Sequence, residues 1–270
     1  MSTPSITVPA PHVLAGREEE VDRYEAVKQY SLTQIFAIWA AATVPMGILA
    51  WVVAPWLSHH IGGRDPFIEA IMICLNAGLI WMLALVIILV RREQGDLAWP
   101  HVRDALWLRA PRSPKTRRVG GRVWWWAVPF TLLAAAFELS PIDPTGPLPR
   151  DLPKAIETDR VENFFSGNWG WFGVAVLILF LPPVVEELLF RGLLQPRMRK
   201  VFGKGDWVAS GSIFTLFHVH QPWSMPATLL DGIFAAAYPT KRFQSIWIAL
   251  VTHTFPSFIM LGVILGLVLK

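Results

Sequence analysis

Apolar residues run in long unbroken stretches along this chain, and charges collect between them. The stretches extend from about Leu32 to Leu57, Phe67 to Val90, Val123 to Leu139, Trp169 to Leu194 and Ser245 to Leu269. About 20 consecutive apolar residues cross the hydrocarbon core of a bilayer as an α-helix, and each stretch is near that length. Two shorter pieces, Trp207 to His220 and Pro226 to Tyr238, lie between polar turns. Their position predicts helices packed inside the bundle, where protein shields the backbone. The pattern as a whole predicts an all-α, polytopic transmembrane bundle of seven helices, or eight if Pro256 splits the last segment.

The polar intervals divide the chain further. Residues 1–31 read as a polar, loose tail, with Arg17, Glu18, Glu19, Glu20, Asp22, Arg23 and Lys28 and no short apolar stretch of a cleavable leader, so the first span is expected to direct insertion. Residues 32–139 hold the first helices, with a basic loop over 91–122. Within that loop, Leu97 to Leu108 mixes Trp99, Val102, Leu106 and Trp107 with His101, Arg103 and Asp104, which suits a short helix lying at the interface. Residues 140–168 carry five prolines and five acids and are expected to be extended. Residues 169–270 form the last region.

Composition agrees with a membrane solvent. Of 270 residues 53% are hydrophobic and 16% charged, where a soluble domain carries about 25% charged residues. With the amino terminus inside, eighteen Lys and Arg fall in inside segments and five outside, so the bias in basic residues places the amino terminus in the cytoplasm. The net charge of +4 is then accounted for by an anionic inner leaflet, and no nucleic-acid partner is needed. The single cysteine, Cys74, excludes an intramolecular disulfide.

Candidate chemistry collects in the last region, where Pro183-Val184-Val185-Glu186-Glu187-Leu188-Leu189-Phe190-Arg191-Gly192 ends an apolar run. Ionisable groups at that depth cost about 2.5–3.5 kcal/mol each on insertion scales and mark places where something is done. Residues four apart share a helix face, so Glu187 pairs with Arg191 while Glu186 is turned about 100° away. Pro182 and Pro183 remove hydrogen bonds just upstream and are expected to kink the helix there. The next segment carries Phe214 and His218 on one face; His220, two residues on, points the other way on a helix and reads as an end-of-helix residue. The final segment places His253 and Ser257 four apart. Three successive hydrophobic elements thus each contribute a polar group, Glu186, His218 and His253.

Together these residues resemble the CAAX-protease and bacteriocin-processing (CPBP) family of intramembrane endopeptidases, which includes the type II CAAX prenyl endopeptidases. Its motifs EExxxR, FxxxH and HxxxN match Glu186-Glu187 with Arg191, Phe214 with His218, and His253 with Ser257 at the asparagine position. The resemblance covers about Trp169 to Ser257. It implies a membrane-embedded peptidase, in a bacterial inner membrane, acting on a membrane-associated protein or peptide. Glu186 would be the general base on a water held by His218, and His253 with Ser257 would stabilise the oxyanion. Glu187 and Arg191 would fix the kinked helix, with Phe214 supporting His218. No cofactor is favoured, although the same Glu186, His218 and His253 would suit a zinc ion. Two rival readings share the polar residues: a non-proteolytic immunity or scaffold protein of the same fold, and a transporter, against which the lack of inverted repeats argues.

Overall fold

The computed structural model describes residues 23–24, 27–140, 142 and 158–270, and the account below concerns those residues. In chain order the helices are α1 (Leu32–Ser58), α2 (Pro66–Gln94), α3 (Trp99–Ala105), α4 (121–138), α5 (Asp159–Phe165), α6 (Trp169–Arg197), α7 (Asp206–Phe217), α8 (225–243) and α9 (Trp247–Val268). Four of them, α1, α2, α6 and α9, are long and apolar enough to cross a membrane. The shorter α4, α7 and α8 occupy the places where further spans were expected, so a count of seven is not established. Pro256 does not divide the last segment, because α9 runs through it unbroken.

Local chemistry sets the helix ends. Ser31 and Gln34 form a reciprocal capping box at the start of α1, with Ser31 N–H donating to Gln34 Oε1 at 2.9 Å and Gln34 N–H to Ser31 Oγ at 3.2 Å. Asp65 caps α2 by accepting from Ile68 N–H at 3.1 Å, with Pro66 in the first turn, where its missing N–H has no partner to lose. Gly95 stops α2 in the left-handed conformation, at φ 83°.

One core cluster joins α1, α2, α3, α6 and α7 through Ile38, Met46, Met82, Val86, Ala105, Leu189, Phe190 and Phe217. The opposite faces of the long helices present Trp56, Ile80, Phe258 and Ile259 outward, as lipid contact requires. Where α7 meets α8, a Cβ on Gly211 would lie 2.7 Å from Ile233 N and Cα, so the two backbones are in contact. Small residues permit this approach in a bilayer, where packing replaces the hydrophobic effect between helices.

Parts of the predicted tail and loop are ordered against the bundle. Arg23 donates to Gln244 O at 2.6 Å, Gln29 Nε2 to Pro196 O at 2.9 Å and Tyr30 N–H to Arg197 O at 2.9 Å, while Tyr24 meets Trp107 edge-on at 4.7 Å. The looseness expected through residue 31 therefore fails at Arg23, Tyr24 and residues 27–31; residues 1–22, 25 and 26 lie outside the described residues. At the other end, the segment expected to be extended contains helix α5, which buries Val161, Phe164 and Phe165. Its apolar spacing makes one helical face, and this outweighs the nearby prolines, which fall mostly in 143–157, outside the described residues. The short helix expected at Leu97 to Leu108 is α3. Among the polar groups outside the spans, Arg109 and then Arg103 hold the Asp104 carboxyl at about 2, well below its ordinary value.

Candidate active site

The site is assembled on helices that depart from α geometry. In α6 the stretch Glu187–Leu194 is π-helical, and in α8 so is Asp231–Ala237; such widened turns concentrate at functional sites. Side chains from neighbouring elements donate to carbonyls of both stretches. Ser210 Oγ donates to Phe190 O at 3.3 Å, Arg191 Nη2 to Gly232 O at 3.2 Å, and Gln195 Nε2 to Ala237 O at 2.8 Å. These bonds tie α6 to α7 and α8 around the charged residues.

Glu187 and Arg191 are both fully buried and stand 3.4 Å apart, as their spacing predicted. Arg191 also lies over the Phe214 ring, 3.9 Å from its centroid, in a cation–π contact. Glu187 has a second partner that the sequence did not indicate: its Oε1 lies 3.1 Å from His253 Nδ1. With Nδ1–H donated to that carboxylate, the other ring nitrogen faces Glu186, whose Oε2 lies 3.9 Å from His253 Nε2. Glu186 itself is nearly covered, at 5% exposure. The two adjacent glutamates thus engage the two nitrogens of one imidazole, from α6 to α9.

His218 joins this pair through an aromatic ring. Phe214 meets both histidine rings edge-on, its centroid 4.6 Å from that of His218 and 6.1 Å from that of His253. His218 Nδ1 is 2.9 Å from Phe214 O, which leaves Nε2 as its free nitrogen. The expected divergence of His218 and His220 does not occur. Helix α7 ends at Phe217 and tightens into a 3₁₀ turn, so the two rings stack with centroids 5.4 Å apart. His220 is buried, with Nδ1 3.2 Å from Phe217 O.

Ser257 takes a different place from an oxyanion donor. Its hydroxyl donates to Leu179 O at 2.7 Å. Leu179 O is the carbonyl that a residue-183 N–H would satisfy in an α-helix, and Pro183 has none. Ser257 supplies from α9 the hydrogen bond that the proline removes from α6.

Sequence reasoning passed over Asp231, at the start of the π-helical stretch of α8, and Glu138, at the end of α4. Asp231 interacts electrostatically with His253, Arg191 and Glu187, and Glu138 with Asp231 and His253. The available signal was Asp231 itself, an acid inside the apolar piece Pro226 to Tyr238.

Among the described residues, no three His, Cys, Asp or Glu side chains are grouped to hold a metal ion. For the zinc alternative the nitrogens left over are Nε2 of His253 and Nε2 of His218, and they are not grouped with a carboxylate closely enough to hold an ion.

Residues 168–268 match a protein-family model described as type II CAAX prenyl endopeptidase Rce1-like. No curated protein and no solved structure matches the chain. The matched segment contains Glu186, Glu187, Arg191, His218, His253 and Ser257.

Proposed function

Taking as premise that residues 168–268 form a domain of the CAAX-protease and bacteriocin-processing family, we propose that this protein is a metal-independent intramembrane endopeptidase of a bacterial inner membrane. It hydrolyses a peptide bond of a membrane-associated protein or peptide. The observation that carries the reading is the contact of His253 with both glutamates, Nδ1 on Glu187 and Nε2 toward Glu186. In this reading Glu186 removes a proton from the attacking water, and His218 holds that water through its free Nε2. Nε2–H of His253 then donates to the oxyanion that forms on the scissile carbonyl, and Glu186 passes the proton taken from water to the leaving amine as the C–N bond breaks. Glu187 fixes the direction of His253 and stabilises its imidazolium form, which carries N–H on both nitrogens, and Arg191 pairs with Glu187 in its buried place. Ser257 maintains the kink below Glu186 and takes no part in the proton transfers.

The test is hydrolysis by purified protein in lipid of a panel of membrane-associated peptides, with wild type and Glu186→Ala compared. Removing a general base lowers the rate by about 10²–10⁴-fold. Cleavage that survives Glu186→Ala, or a folded wild type that cleaves no member of a broad panel, overturns the proposal.

A further inference from the structure

The site carries more carboxyl groups than the reaction above uses. Four carboxylates, Glu138, Glu186, Glu187 and Asp231, share their surroundings with one guanidinium, Arg191, and the imidazole of His253. Arg191 and His253 are already engaged by Glu187. Asp231 is different: its Oδ1 is fully enclosed and accepts no hydrogen bond, and Glu187 Oε2 is likewise enclosed without a donor. The backbone fixes where Asp231 stands. Arg191 Nη2 holds the adjacent Gly232 O at 3.2 Å, and a Cβ on Gly232 would meet Phe214 Cδ1 at 2.9 Å. The backbone that carries Asp231 therefore cannot shift without disturbing the crossing of α7 and α8. α8 also packs against α4 and α9, the elements that carry Glu138 and His253.

A buried carboxylate oxygen without a donor is costly, and an uncompensated buried charge more so. A ligand that brings a cation with N–H groups relieves both. We propose that Asp231, assisted by Glu138, forms a subsite for a basic side chain of the substrate, the ammonium of a lysine or the guanidinium of an arginine, next to the bond that is cut. This rests on the endopeptidase reading and adds to it a substrate class, peptides with a positive residue near the scissile bond. Asp231 is a specificity residue here. Its contact is with a substrate side chain and not with the reacting carbonyl.

Binding tests this separately from cleavage. In full-length protein carrying Glu186→Gln, affinity is measured for amphipathic peptides in which one lysine is moved position by position along a norleucine parent. At one position lysine should bind at least about tenfold tighter than norleucine, the smaller end of what close interfacial charge pairs contribute. Asp231→Asn should bring that ratio to about one. Glu138→Gln, at an exposed helix end and without risk to folding, should reduce it by about threefold, in line with a partly solvated charge. The proposal is overturned if no lysine position is preferred, or if the preference survives in folded Asp231→Asn. If Asp231→Asn does not fold, an unchanged ratio in Glu138→Gln overturns it. Should the lysine preference appear while wild-type protein cleaves none of the peptides, the subsite stands and the endopeptidase reading falls.

Discussion

Glu186 and Glu187 are adjacent and chemically identical, yet their surroundings assign them different work. Glu187 is fully covered and lies between Arg191 and His253, whereas Glu186 has only the 3.9 Å approach of His253 Nε2. Glu186→Gln should leave the fold intact and abolish hydrolysis. Glu187→Gln should lower the yield of folded protein, because breaking a buried pair costs about 3–5 kcal/mol. Yield in detergent and turnover on one peptide separate the two, and reversed outcomes would mean that the roles are exchanged. Ser257 provides a second case. Losing its hydrogen bond in Ser257→Ala should cost about 1 kcal/mol, and the cost should vanish in a Pro183→Ala background, where residue 183 regains its N–H. An undiminished effect in the double variant would show that Ser257 acts elsewhere. The spacing of Glu187 and Arg191 was readable from sequence because one helix holds both. The bonds from Glu187 to His253 and from Ser257 to Leu179 were not, because each joins residues 66 or 78 positions apart on different helices.

At the scale of elements, the region is held by close backbone crossings and by side chains seated on carbonyls of widened turns. Gly211→Ala would place a Cβ within 2.5 Å of Ile233 Cγ1 and 2.7 Å of its backbone. We expect α7 and α8 to part, at a cost of about 1–3 kcal/mol, with weaker substrate binding as Asp231 shifts. Thermal unfolding in detergent measures the first, and unchanged stability would refute the contact. Hydrophobic runs revealed these helices but not their internal geometry. A π-helical stretch has no composition of its own, and the run Asp231-Gly232-Ile233-Phe234-Ala235-Ala236-Ala237 reads from sequence as ordinary helix. The stacking of His218 on His220 was illegible for the same reason, since periodicity assumes that a helix continues to the end of its apolar run.

For the whole molecule, the basic residues gather at the end that carries Arg23, Arg197, Lys200 and Lys241, and we propose that this end faces the cytoplasm. In a protein with Cys74 replaced by serine, a cysteine at Asp159 should react with an impermeant reagent added to intact cells, and one at Lys200 should not. Both positions are exposed at opposite ends of the molecule. Labelling at Lys200 alone would invert the orientation and turn the site toward the other compartment.

Arg197 illustrates how the two halves of the chain depend on each other. Its guanidinium, wholly buried, pairs with Glu93 at 2.6 Å and donates to Ala105 O at 2.9 Å, and its own carbonyl receives Tyr30 N–H. All three partners precede residue 168, outside the segment that matches the family model. The consequence concerns biogenesis. During synthesis Glu93 must wait without this partner until α6 is inserted and delivers Arg197. A fragment comprising only residues 168–270 would in turn bury an arginine without its carboxylate, leaving Leu193 O, at 2.8 Å, to receive it. Such a fragment should be degraded when expressed alone and recovered when the first half is supplied as a separate chain. A fragment that survived unaided would mean that the matched segment is a self-sufficient module to which the remaining helices are merely attached.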